Sequence, residues 1–215
     1  MLNYLRPVKV QEIFNMVHFV VHENFRHHVM DAVIEDFSNE VDSVYEEELT
    51  YYEDSRIYVA KDMDGVTLGT IRVLKWNFVD PLPIQKIFNI NPLDHIDHRS
   101  VNEVYHFGRL AIQKDVPSLQ LFKKLIATSI IPVCSHKHNV AFAECDAKLF
   151  RVLTLLGIEM EVIGESIEYL GSETIPVLMT CQGLMDFHNQ YWKSNANMDS
   201  YGNQPMQTYK VEMLS

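Results

Sequence analysis

A chain of 215 residues that is 47% hydrophobic, 22% charged and 11% aromatic has the composition of a folded globular protein, which excludes disordered, collagenous and disulfide-stapled classes. Its 18 lysines and arginines against 29 aspartates and glutamates leave a formal charge of -11, which repels phosphate backbones and excludes general nucleic-acid binding. Three cysteines (Cys134, Cys145, Cys181) without CxxC spacing supply neither a disulfide framework nor a zinc ribbon; with no signal peptide or membrane span legible, a cytoplasmic location is expected.

Residues 10–37 repeat apolar side chains at helical spacing (Val10, Ile13, Phe14, Val17, Val21, Phe25, Val29, Val33, Phe37), predicting one long helix or two broken near Asn24. Residues 38–54 read as an acidic connector with Glu46, Glu47 and Glu48 in a row. The β-branched runs 56–61 and 67–75 flank Asp64 and Gly65, a hairpin signal. Three prolines (Pro81, Pro83, Pro92) make 78–99 a long loop with a short helix at 84–88. Residues 103–112 read as a buried strand that alternates Val104, His106, Gly108 and Leu110 on one face with Tyr105, Phe107, Arg109 and Ala111 on the other.

A helix opens at Pro117 and Ser118, carries Leu121, Leu125, Thr128 and Ile131, and stops at Pro132. Residues 140–144 form a short central strand, and 147–156 a helix closed by Gly157. Further strands are expected at 158–163, 166–170 and 175–181, with Gly164 and Gly171 as turn residues. An aromatic amphipathic turn (Phe187, Tyr191, Trp192) follows. The fold class is α+β, a mixed central sheet flanked by helices, in one domain over 1–193 with a polar tail at 194–215.

Charge is uneven along the chain. Residues 1–65 hold five bases against fourteen acids, whereas 109–151 hold seven bases (Arg109, Lys114, Lys123, Lys124, Lys137, Lys148, Arg151) against three acids. This basic island is either a solvated surface or a dock for an anionic partner or phosphate-bearing cofactor. His18 and His22 lie four apart, but Arg26 stands where a HExxH zinc motif needs its second histidine. Asp94, His95, Asp97 and His98 share one polar loop, and no metal is expected there. Cys145 is read as a small buried hydrophobe ahead of a nucleophile.

The run 58–73 with Gly69 and Arg72, the strand element His106, Gly108 and Arg109, and the later strand, helix and Gly157 together resemble the GNAT acyltransferase fold. Within it they are most similar to acyl-homoserine-lactone synthases and long-chain N-acyl amino acid synthases, over residues 26–181. The resemblance implies an N-acyltransferase moving a fatty acyl group from acyl-carrier protein or acyl-CoA, used as co-substrate with no permanent cofactor, to the amine of an amino acid or related small molecule. By residue it implies His106, Arg109, Asp42 and Glu40 as catalytic, and Arg72, Arg26, Tyr45 and Glu46 as acceptor-binding. Phe107, Gly108, Leu110, Ser118, Lys123 and Lys124 are the implied donor side, the lysines docking an acidic carrier protein.

Two departures from the family pattern stand out. His106 replaces a strand glutamate, with Glu103 one step out of phase, and residues 113–120 lack the glycine-rich run that wraps a pyrophosphate. The acid tyrosine of ordinary acetyltransferases, expected near Leu153, is absent as well. A core role for His106, a structural partner for Arg109 (Asp42 or Glu40), a short-chain acetyltransferase and a catalytically silent ligand- or partner-binding module remain open alternatives.

Overall fold

A computed structural model describes residues 4–28, 34–97, 99–116, 119–169 and 171–195. Its strands are β1 (Tyr4–Pro7), β2 (Ser55–Lys61), β3 (Thr67–Lys75), β4 (Val104–Ile112), β5 (Val140–Asp146), β6 (Glu161–Val162), β7 (Ile167–Tyr169) and β8 (Ser172–Thr180). Its helices are α1 (Ile13–His28), α2 (Ile34–Tyr51), α3 (Pro83–Phe88), α4 (Leu119–Ser129), α5 (Ile131–Cys134), α6 (Ala147–Leu155) and α7 (Cys181–Asn195). All strands join one sheet in the order β1-β2-β3-β4-β5-β8-β6, with β7 also on β8, and β4–β5 is its parallel pair.

Helix α1 buries Ile13, Met16, Val17, Val20 and Val21, the stripe that 3.6-residue periodicity demands. It runs through Asn24, so of the two expected readings the break near Asn24 is not found; α1 ends at His28 and α2 begins at Ile34. The acidic stretch is likewise no connector but most of α2. Glutamate is a good helix former, and the spacing of Val41, Val44, Glu48 and Tyr51 turns one face to the sheet while Asp42 and Glu46 stay in water. The β2–β3 hairpin is as expected: Asp62 Oδ1 accepts from the amides of Asp64 and Val66, and Gly65 takes φ +83°. Helix α4 ends at Ser129, ahead of the expected stop at Pro132, and Pro132 sits in the first turn of the next helix, α5, where its missing N–H costs nothing. Asp146 caps α6 through the Leu149 amide at 2.8 Å, and Gly157 at φ +81° ends it.

Strand β4 departs from simple alternation. Its register on β3 shifts between Thr70, opposite Ala111, and Arg72, opposite Gly108, so Ile71 faces two residues, Arg109 and Leu110. This is a β-bulge, and Arg109 occupies it at φ +54°. Beyond the bulge every side chain changes face: Tyr105 and Phe107 pack in the α4-side core, whereas Ala111 packs with α1 and α2. The expected placement of Arg109 opposite His106 is therefore corrected, because the extra residue turns Arg109 to the His106 side.

Strand β5 pairs with β4 only from Val104–Val140 to Phe107–Ala143. Past that point β4 stays on β3 and β5 on β8, and the two diverge. The α4-side core closes beneath them around Leu125, which is fully buried. Leu125→Ala is expected to cost about 3 kcal/mol through the cavity it leaves. Urea denaturation checks it, with a lower midpoint at unchanged m-value as the outcome.

Candidate active site

The bulge places a chain of charged groups against α2. Arg72 on β3 and Glu48 on α2 have side chains 1% and 0% exposed. Glu48 Oε1 accepts from Arg72 Nη1 and, at 2.8 Å, from Arg109 Nε. Arg109 Nη2 donates to Glu47 Oε2, and Lys86 Nζ of α3 donates to the other Glu47 oxygen at 3.0 Å. Arg72 and Lys86 also lie 5.3 and 5.0 Å from the Tyr51 ring centroid, where a cation meets the negative face of the ring.

Arg72 continues the chain toward β5. Its Nη2 lies 3.3 Å from His106 Nδ1, and His106 Nε2 lies 2.9 and 3.0 Å from the two oxygens of Glu144. Gly108 leaves room for this contact: a Cβ there would lie 3.0 Å from Arg72 Nη2 and 3.3 Å from His106 Cε1, tight enough to press on both side chains.

A cavity of about 610 Å³ opens along this chain. Its lining comes from both faces of the sheet: Glu47, Arg72 and His106 from one, Phe107, Ala143 and Cys145 from the other. It therefore passes through the gap where β4 and β5 part. The α2 side carries the charged groups Glu40, Glu47, Arg72, Lys86 and Arg109 among apolar Val20, Val21, Phe25 and Val44; the far side is walled by Ile126 and Ile130 before α6 contributes Leu153 and α7 Leu184. From Gly108 onward the β5-facing edge of β4 has no strand neighbour among the described residues, leaving backbone amides there for a polarised carbonyl.

Of the residues singled out from sequence, the structure brings His106, Arg109, Arg72 and Glu40 to the cavity with Phe107, Gly108 and Leu110. Asp42 and Glu46 point to solvent on α2, and Tyr45 packs edge-on against Phe14. Arg26 pairs with Asp115 at 3.0 Å, away from the cavity lining. Neither expected partner binds Arg109; Glu47 and Glu48 do. Lys123 and Lys124 are half-buried on α4, and Ser118 lies outside the described residues, as do His98 and 196–215 of the polar tail. Glu103 serves Lys75 outside the site.

Sequence reasoning missed Glu48, Glu144, Lys86 and Tyr169. Glu48 had a signal, its helical spacing from Val41 and Val44; Glu144 had one in its two-residue step from Phe142 on a strand. Tyr169, on β7, lines the cavity within electrostatic reach of Glu40, Arg109, Glu47 and Glu144. Burial and the glutamates hold its phenol above the ordinary value, which keeps it protonated.

Burial raises the Glu47 carboxyl, but Arg109 and Lys86 outweigh that and hold it below the usual carboxylate range. Burial pushes the Cys145 and Cys134 thiols up to about 12, so Cys145 is no thiolate nucleophile. Among the described residues no three His, Cys, Asp or Glu side chains gather as a metal site.

No family model matches the chain, and no curated protein matches it. Solved structures do. FeeM, an N-acyl amino acid synthase from uncultured soil microbes, aligns with a TM-score of 0.56 at 15% identity, covering 84% of this chain and 93% of that one. TofI, in a ternary complex with an inhibitor and MTA, aligns at 0.59 and 13% identity, covering 87% and 96%. Spermidine N-acetyltransferase from Vibrio cholerae, with CoA and spermine, aligns at 0.51 and 11%, covering 85% and 98%. The fold is that of the GNAT acyltransferases. Its splayed β4–β5 pair and bulged β4 are the features that hold the cavity here.

Two outcomes follow from the buried charges. Glu48→Gln leaves Arg72 without its anion, and is expected to cost about 3–5 kcal/mol in urea denaturation at neutral pH. Because the folded-state value of Glu47 is depressed, its contribution to stability is present above the ordinary value of 4.5 and is lost as pH falls through the folded-state value. Glu47→Gln is expected to flatten that acid limb of the stability profile. Separately, an exposed-thiol reagent at mildly alkaline pH is expected to leave the native protein unlabelled, and to count three thiols after unfolding.

Proposed function

We propose that the chain is an N-acyltransferase that moves a fatty acyl group from acyl-carrier protein or acyl-CoA to the amine of an amino acid or related small molecule. The observation that carries this reading is the cavity through the β4–β5 gap, with charged groups at one end and aliphatic walls at the other. An acyl chain belongs in the aliphatic end, its thioester carbonyl at the freed β4 amides, and the acceptor amine at the polar end. Attack of a neutral amine on a thioester needs a polarised carbonyl, a proton acceptor and exit of a thiolate, and no nucleophilic side chain.

The acceptor side is formed by Glu40, Glu47 and Arg109, with Tyr169 across the opening. On the donor side, α4 and α6 line the aliphatic end and carry Lys123, Lys124, Lys148 and Arg151 outside it. Arg109 leaves the basic island, since Glu47 and Glu48 neutralise it internally. The remaining bases support docking of an acidic carrier. Residues 113–120 hold no glycine for a pyrophosphate cradle, which favours a carrier-held donor over a CoA-wrapped one. The likeness to an N-acyl amino acid synthase supports the fatty-acyl reading, and likeness to a spermidine acetyltransferase keeps polyamines in the acceptor panel.

The test is thiol release from decanoyl-acyl-carrier protein and decanoyl-CoA, with the twenty amino acids and spermidine as acceptors. Product is read by mass spectrometry of organic extracts. Wild type is expected to form an N-acylated product that Arg109→Ala does not, and turnover on the carrier is expected to fall as salt rises. A folded wild type that releases no thiol from either donor overturns the reading.

A further inference from the structure

We propose that Glu144 on β5, and not His106 on β4, is the catalytic base that takes the proton of the acceptor amine, with His106 as its positioning residue. This rests on the acyl-transfer reading above. The geometry of His106 decides it. Its Nδ1 faces a guanidinium nitrogen of Arg72 at 3.3 Å, which has protons and no lone pair, so Nδ1 is the acceptor in that contact. Its Nε2 faces both oxygens of Glu144 at 2.9 and 3.0 Å, so Nε2 carries the ring proton. The ring is then the neutral Nε2–H tautomer with both nitrogens engaged. It has no site left to receive a proton from an amine.

The proton-accepting atoms at this point are the Glu144 oxygens. Glu144 lines the cavity and its side chain is 11% exposed, against 1% for His106. Its situation differs from that of Glu47 and Glu48, and it differs from Glu40, which also lines the cavity, in being oriented by His106 on the strand beside the β4–β5 gap. Glu47 is held by Arg109 and Lys86, and Glu48 by Arg72 and Arg109; a carboxylate flanked by fixed cations is a poor base. The hydrogen-bond partner of Glu144 among the described residues is a neutral imidazole N–H, which orients the carboxylate without neutralising it. Tyr169 of β7 lies within electrostatic reach of Glu144, as it does of Arg109 of β4 and of Glu40 and Glu47 of α2. An ammonium entering from the α2 side meets this carboxylate at the lip of the β4–β5 gap.

The step balances. The ammonium gives one proton to a Glu144 oxygen, and the freed lone pair forms the C–N bond at the thioester carbonyl. The C–S bond breaks with its electron pair on sulfur, and a second N–H proton passes to the departing thiolate. Glu144 returns its proton to solvent, so each turnover yields amide, thiol and one released proton.

The experiment compares wild type, Glu144→Gln and His106→Gln with decanoyl-acyl-carrier protein as donor. Two acceptors are used: the best amine from the panel, protonated near neutrality, and hydroxylamine, which is already largely neutral there. With the panel amine, Glu144→Gln is expected to lose about 100-fold or more in kcat, the usual size of a lost general base. With hydroxylamine it is expected to stay within about threefold of wild type, which also shows that the variant is folded. His106→Gln, which keeps a donor for Glu144, is expected to lose about tenfold with the panel amine and to retain the same hydroxylamine rate.

Equal loss of Glu144→Gln on both acceptors overturns the proposal, and so does a variant that turns over the panel amine like wild type. A greater loss in His106→Gln than in Glu144→Gln does the same. A wild type inactive on every donor and acceptor removes the acyl-transfer reading, and this one with it.

Discussion

Two arginines share one buried carboxylate oxygen, and the rest of the site is arranged around that fact. Arg72 and Arg109 both donate to Glu48 Oε1, from adjacent strands to one helix. A guanidinium cannot be buried unpaired without a penalty of several kcal/mol, so α2 must lie where Glu47 and Glu48 reach β3 and β4. Arg109 in turn must leave the ordinary strand conformation to get there. A left-handed backbone at a non-glycine residue costs about 1–3 kcal/mol, and charge-assisted hydrogen bonds to two glutamates offset it. The bulge, the helix and the ion pairs are one interdependent unit.

That unit also opens the sheet. Where Arg109 leaves the regular strand, β4 no longer follows β5, and parallel pairing ends at Phe107 and Ala143. The gap joins two environments that a closed sheet would keep apart: the ion pairs of Glu47 and Glu48 at the edge of the α1–α2 core, and the aliphatic core beneath α4 and α6. A substrate with an amine partner at one end and an acyl chain at the other needs that connection. An unbroken β4–β5 ladder would place a polar reaction centre and an apolar chain site on opposite sides of a wall.

Much of this was legible in the residue order, and the part that was not has physical causes. The hairpin around Asp64 and Gly65, strand β5 and the α6–Gly157 stop are local features, each specified by residues within a few positions. The acidic run of α2 reads as a solvated connector, although its buried positions keep helical spacing. The bulge was invisible: its left-handed residue is an arginine where composition would mark a glycine. Strict alternation then put Arg109 on the wrong face. The partners of the site are separated by 24, 34, 38 and 61 positions, and no periodic pattern reaches across such distances. His106, Arg109 and Arg72 stand on the motif that carries the family resemblance; Glu144 stands outside it, and its two-residue step from Phe142 on β5 is a signal of a shared face that names no partner.

The exchange of a carboxylate for an imidazole at position 106 has a consequence for where negative charge sits. Any side chain at 106 lies beside Arg72, whose guanidinium is fixed by Glu48 and by the space that Gly108 leaves. A carboxylate there would be bound by that cation and lose basicity to it. An imidazole instead accepts from Arg72 without a charge of its own and donates to Glu144 on the next strand. Arg72, Arg109 and Lys86 pair with Glu48 and Glu47, and the carboxylates of Glu144 and Glu40 line the cavity outside those ion pairs. Histidine at 106 thus sets the anion at Glu144 beside the gap rather than against Arg72, which is where the proposed proton transfer needs it.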